Sequence, residues 1–198
     1  MLSFTGATRE LGAGDYLVTD IGGGSTEFVA GTAGTASTVS AARSVDIGCV
    51  RMTERHLHGD PPSACEVAAA TADIDAALDL AARAIGADTA RTLVGLAGSV
   101  TTVAGIALGL AEYDSVAIHH SRVSAGQVAA IAGQLLAQTR AERAAIGVMH
   151  PGRVDVIGAG ALILARIMNR FGFDELLVSE HDILDGIAWS LAGPQRTG

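Results

Sequence analysis

Lysine is missing from this chain: all thirteen basic residues are arginine, against twenty-one acids, for a net charge of −8 over 198 residues. That balance argues against general nucleic-acid binding, which needs a basic face. It leaves a polyanionic substrate open, provided metal ions and a local arginine cluster reverse the field at one site. Arginine is the better bidentate phosphate ligand, yet the total absence of lysine is read as coding bias rather than selection for function. Cysteine is nearly absent too. Cys49 and Cys65 are the only two and lack C-x-x-C spacing, which excludes a disulfide framework and leaves reduced thiols as the expectation. Aromatic residues make up only 4% of a chain that is 49% hydrophobic, so the core is built from Ala, Val, Leu and Ile, as in helix-covered sheets. No run of about 18 uncharged apolar residues occurs, and Met1-Leu2-Ser3-Phe4 carries no leader pattern. A cytoplasmic protein with no membrane partner is expected. Nor is there an internal repeat, low-complexity tract or linker, and residues 1–198 read as one α/β domain.

What is present is concentrated in Asp20-Ile21-Gly22-Gly23-Gly24-Ser25-Thr26-Glu27, set between the strand-like stretches Tyr16–Thr19 and Phe28–Ala30. Glycines lack Cβ, so a turn of this kind can take positive φ and bring its N–H groups together on an anion. Gly22, Gly23 and Gly24 are therefore candidate phosphate ligands, with Ser25 beside them. Asp20 and Glu27 flank that anion site. Carboxylates can hold a hydrated Mg²⁺ that binds the phosphate, or orient a water for attack on phosphorus, so the two are candidate metal-binding and catalytic residues. The alternative is a tight hairpin with incidental acids.

Alternation predicts three antiparallel strands over Tyr16–Ile21, Ser25–Gly31 and Thr35–Asp46. Helices are expected over Gly48–His58, from Ser63 to about Ile85, over Ser124–Thr139, Ala141–Val148 and Val154–Phe171, and over Ile183–Leu191. Ser63 and Glu66 have capping-box spacing. Thr92–Ala97 reads as a buried strand, Leu176–Ser179 as the last one. Gly98-Ser99 begins a helix whose terminus would favour a phosphate, with a plain N-cap as the alternative.

Three antiparallel strands, a helix, a strand and a helix, with glycines in the first hairpin, follow the order of the ribonuclease-H-like half-domain of actin-like ATPases: an α/β fold with a mixed sheet of about five strands flanked by helices. The segments 20–27, Ser44–Glu54, Gly95–Thr102, Met149–Ala161 and Val178–Ala188 together resemble the exopolyphosphatase and guanosine-pentaphosphate phosphohydrolase (Ppx/GppA) family, and look most like its short bacterial exopolyphosphatases. By that resemblance the activity is Mg²⁺-dependent release of terminal phosphate from inorganic polyphosphate or from guanosine pentaphosphate, and Arg153 resembles a phosphate-contacting arginine. A solvated surface arginine is the alternative for Arg153. The family's first domain, with its own Asp-x-Gly-Ser/Thr-Asn motif and a glutamate thought to act as base, has no counterpart here. The chain is accordingly expected to be the second domain alone, weak or inactive without its partner domain; homodimer formation is left open. A non-catalytic module that binds polyphosphate or nucleotide is the second reading. An ATP-driven relative is a weaker third, since Met149–Ala161 resembles the phosphatases.

Histidine gives less. His119 and His120 precede Arg122, and His150 precedes Pro151, but no H-x-x-x-H spacing supports zinc. His181, Asp182 and Asp185 could touch the cleft, with capping by Asp182 preferred. Ser25 and Thr26 are nucleophiles by type only, because no paired histidine would activate them.

Overall fold

The computed structural model describes residues 2–35, 37–86, 90 and 92–180. Helix α1 (Leu2–Thr8) leads into a hairpin of β1 (Gly14–Ile21) and β2 (Thr26–Ala33), extended by β3 (Thr38–Val45). Helices α2 (Cys49–His56) and α3 (Ala64–Ile85) follow, then β4 (Thr92–Leu96), α4 (Ala97–Ala107), a short α5 (Ser115–Ile118), β5 (Arg122–Ser124), α6 (Ala125–Ala137) and α7 (Arg140–Ala144). A 3₁₀ turn at Pro151–Arg153 precedes α8 (Ile157–Phe171) and β6 (Glu175–Val178). The expected helix over Ile183–Leu191 and the residues His181, Asp182 and Asp185 lie outside the described residues.

The sheet has six strands in the order β3-β2-β1-β4-β6-β5, one more than expected. β1 runs antiparallel to β2 and parallel to β4, and β4 is parallel to β6. The extra strand, β5, is three residues long and antiparallel to β6. Such a segment is too short to carry a period-2 signal.

Alternation sorts the strands between two cores. Leu17 and Ile21 of β1 join Phe28, Ala30 and Leu93 beneath α3, α4, α6 and α8. Tyr16 and Val18 join Val29, Val94, Leu96 and, from α1, Phe4 and Ala7 on the opposite face. Asp20 continues the Tyr16–Val18 row, and Glu27 continues the row of Val29, because side chains two apart share a face. In α3 the buried residues Ala70, Ile74, Leu78, Ala81 and Ile85 recur at helical spacing, and the Ser63–Glu66 capping box forms as read from the sequence. α8 begins at Ile157 rather than Val154, because residues 154–156 form a further turn after the 3₁₀ segment Pro151–Arg153. α7 ends at Ala144, short of Val148: Gly147 packs so tightly on Ala111 that a Cβ there would overlap its carbonyl.

Candidate functional site

β1 and β4 end side by side, with Thr19 opposite Gly95 and Asp20 opposite Leu96. In open α/β sheets ligands bind outside the carboxyl ends of the parallel strands, and here each strand turns there into a distinctive segment. β1 enters the glycine turn. β4 enters α4 through Ala97, whose φ of 68° is in the left-handed region. An alanine there costs roughly 1–2 kcal/mol, which the surrounding packing must offset.

The turn owes its shape to α2. The amide of Cys49 donates to the carbonyl of Gly22, and those of Val50 and Arg51 to the carbonyl of Gly23, each at 3.0 Å. The Nε of Arg51 donates to the carbonyl of Gly24 at 2.6 Å. These peptides are trans, so each N–H points opposite to its C=O. With three successive carbonyls turned toward α2, the amides of Gly23, Gly24 and Ser25 turn away from it. Among the described residues none of the three amides donates to a protein acceptor. The Gly22 amide does not join them: it closes the turn onto the Ser25 carbonyl at 3.0 Å, which corrects its assignment as a phosphate ligand. Positive φ is not what the turn needs, since none of the three glycines adopts it. The close approach is at Gly48, which packs on the turn and where a Cβ would overlap the backbone of Gly23.

Asp20 and Glu27 are paired directly across the hairpin. Opposed residues share a face with Cβ atoms about 4.5–5.5 Å apart, so the two carboxylates stand on the same face of the hairpin. Glu27 is held in place: its Oε1 accepts from the hydroxyls of Ser25 at 2.6 Å and Ser44 at 2.8 Å. The Ser25 hydroxyl thus serves Glu27. Two carboxylates of this spacing are hard oxygen donors of the kind that hold a largely hydrated Mg²⁺, so the residues fit that ion. Thr26 is structural, its buried hydroxyl donating to the Ile47 carbonyl at 2.5 Å.

At the neighbouring strand end, Gly98 exists for Arg153. A Cβ on Gly98 would overlap the guanidinium, which also donates from Nη1 to Thr102 Oγ1 at 3.2 Å. Sequence reading named both residues without joining them. It missed Thr102, whose hydroxyl donates in turn to the Gly98 carbonyl at 2.7 Å. α4 has Leu96 at its N-cap and no side-chain cap, so the plain N-cap reading does not hold. Ser99 is buried, its side chain wedged against Gly160 of α8, so its hydroxyl is turned inward and only its amide belongs to the helix terminus. Among the described residues no carboxylate forms an ion pair with Arg153. A guanidinium roughly 4 Å from the half-charge of a helix N-terminus is repelled by about 2 kcal/mol at an effective dielectric of 20. An anion between them reverses the sign.

Beside Arg153 a cavity of about 300 Å³ is lined by Tyr113, Gly147, Val148, Met149 and His150. Burial, then the hydrogen bond that Tyr113 donates to Glu180 at 2.6 Å, raises its phenol above the ordinary range. The histidines cluster elsewhere. His119 stacks on His120 with ring centres 3.8 Å apart and lies near Glu10, a grouping the sequence did not show. The Glu180 amide donates to His119 Nδ1 at 3.2 Å, which puts the proton on Nε2, facing Glu10 Oε2 at 3.2 Å. That tautomer suits a hydrogen bond rather than a metal. His150 Nδ1 accepts from the Gly152 amide at 3.1 Å and caps the 3₁₀ turn.

A mixed sheet of this order, with a glycine hairpin and an uncapped helix at adjoining strand ends, defines an actin-like ATPase fold. Comparison with known proteins gives the family: the chain matches the Ppx/GppA phosphatase family over residues 1–193 and belongs to it. It is 50% identical to Exopolyphosphatase 2 of Mycobacterium tuberculosis over 198 residues, covering 97% of this chain and 61% of that protein. It is also 28% identical over 182 residues to the guanosine-5'-triphosphate,3'-diphosphate pyrophosphatase of Aeromonas salmonicida, covering 92% of this chain and 35% of that one. The solved structure of an exopolyphosphatase-like protein superposes with a TM-score of 0.90 at 42% identity, over 96% of this chain and 64% of the other. That of the Aquifex aeolicus PPX-GPPA enzyme gives 0.86 at 28% identity, over 96% and 61%. The chain thus spans under two thirds of these relatives. Among its described residues no helix is long and apolar enough to cross a membrane.

Proposed function

We propose that this chain supplies the phosphate-holding half of a phosphoanhydride hydrolase, one that releases terminal phosphate from inorganic polyphosphate or guanosine pentaphosphate. The observation that carries the reading is the meeting of three features at one end of the sheet. They are the amides of Gly23, Gly24 and Ser25, the uncapped terminus of α4 with Arg153 over Gly98, and the Asp20–Glu27 pair. The amides and the guanidinium bind phosphate oxygens, and the carboxylates hold Mg²⁺ or orient the attacking water. Bound Mg²⁺ would neutralise charge on the phosphate and polarise its water. No side chain of the glycine turn is set up as a nucleophile, which favours direct attack by water over a covalent intermediate.

The names of the relatives, an exopolyphosphatase and a guanosine pentaphosphate pyrophosphatase, support both substrates. Because the chain covers only part of them, the reading includes a second domain that completes the cleft and the general base. The test uses a protein carrying that domain. Asp20→Asn and Glu27→Gln should each cut Mg²⁺-dependent phosphate release by orders of magnitude while thermal melts stay near those of the unsubstituted protein. The amides keep the shape and remove the charge. Near-normal rates in both variants would leave a hairpin with incidental acids.

A further inference from the structure

Arg51 does not stand out in its sequence context, and its place in the structure is unusual for a half-exposed arginine. Among the described residues it forms no ion pair, like Arg43, Arg83 and Arg153 and unlike Arg55, Arg122, Arg140, Arg143, Arg166 and Arg170. Its side-chain hydrogen bond goes from Nε to the Gly24 carbonyl, across 27 residues of sequence. The helix backbone holds the two preceding peptides of the turn through Cys49, Val50 and Arg51, but the Gly24–Ser25 peptide is beyond their reach. Gly24 has no Cβ to oppose a flip of that peptide, and a flip would turn the Ser25 N–H away from the other two amides. It would also place a carbonyl oxygen where the phosphate sits.

We propose that Arg51 is a positioning residue that locks the Gly24–Ser25 peptide, so that the Ser25 amide is aimed at the bound phosphate. This rests on the phosphate reading above for the ligand, while the locking of the peptide is a property of the free protein. Arg51 acts through its Nε and not through its charge, because the contact is made on the carbonyl side of the turn, opposite the converging amides.

Glutamine separates these two roles, since its Nε2 occupies the same position along the side chain as arginine Nε but carries no charge. Methionine has the same length and no donor. In the free protein, the Ser25 amide resonance should move in Arg51→Met and stay near wild type in Arg51→Gln. Binding of inorganic tripolyphosphate with Mg²⁺, by calorimetry, should weaken about tenfold in Arg51→Met and less than threefold in Arg51→Gln. Equal losses in both variants would show that the charge matters and overturn the proposal, as would an unmoved Ser25 amide in Arg51→Met. If the unsubstituted chain does not bind tripolyphosphate, the phosphate reading fails and the free-protein spectra still decide the role of Arg51.

Discussion

At the scale of residues, Arg153 shows how a side chain that reads as ordinary surface becomes informative. Its guanidinium lies on a glycine, donates to Thr102, and faces the uncapped terminus of α4 without an acidic partner among the described residues. Arg153→Ala should leave the thermal melt near wild type and weaken tripolyphosphate binding about tenfold or more, as expected when a charge-assisted bidentate hydrogen bond to phosphate is removed. Calorimetry at low salt checks it, and unchanged affinity would return the residue to a surface role. The sequence showed which residue types were chemically suited here, because acids, glycines and an arginine in motif order are visible without coordinates. It could not show which atoms are already engaged. The Gly22 amide, the Ser25 hydroxyl and the Ser99 side chain are all directed to the protein itself.

At the scale of elements, caps and turns decide how the site is held. Three capping boxes form, at Ser63–Glu66, Ser124–Gln127 and Thr139–Glu142. Only the first is read from sequence, since the others open helices whose starts are placed by hydrophobic pattern alone. Glu66 accepts from the Ser63 amide, the Ser63 hydroxyl and the amides of His58 and Gly59, which together lower its pKa from 4.5 to about 2, the Ser63 amide contributing most. A carboxyl whose folded pKa is depressed stabilises the fold above its unfolded value and loses that contribution as pH falls through the folded one. The stability difference between wild type and Glu66→Gln should therefore be full at neutral pH and shrink between about 4.5 and 2, as read by thermal melts across that range. Gly48 is the corresponding control on the turn. Gly48→Ala forces a methyl into Gly23 and should cost about 1–3 kcal/mol of stability, together with weakened tripolyphosphate binding, because α2 can no longer seat against the turn. A melt unchanged from wild type would contradict that packing.

At the scale of the whole molecule, the sheet order places the glycine turn and the start of α4 side by side at one end of the sheet. The first three strands and α3 were legible because their periodicities run over many residues. α1 was not read as a helix, and the three-residue β5 was invisible to pattern. Ion pairs from α8 to α3, Arg166 with Asp75 and Arg170 with Asp79, fix the layer that carries the Arg153 turn, and nothing in local sequence announces pairs 91 residues apart. The chain spans 61% of the length of the Mycobacterium tuberculosis Exopolyphosphatase 2. Loss of a general base costs about 10²–10⁴-fold in rate, and loss of half a cleft adds lost positioning. The most direct measurement is phosphate release from long-chain polyphosphate with Mg²⁺, by this chain alone and by the chain joined to a family first domain. Little or no release is expected from the chain alone, and at least a hundredfold gain on joining. A chain that works alone at the rate of the joined protein would contradict it.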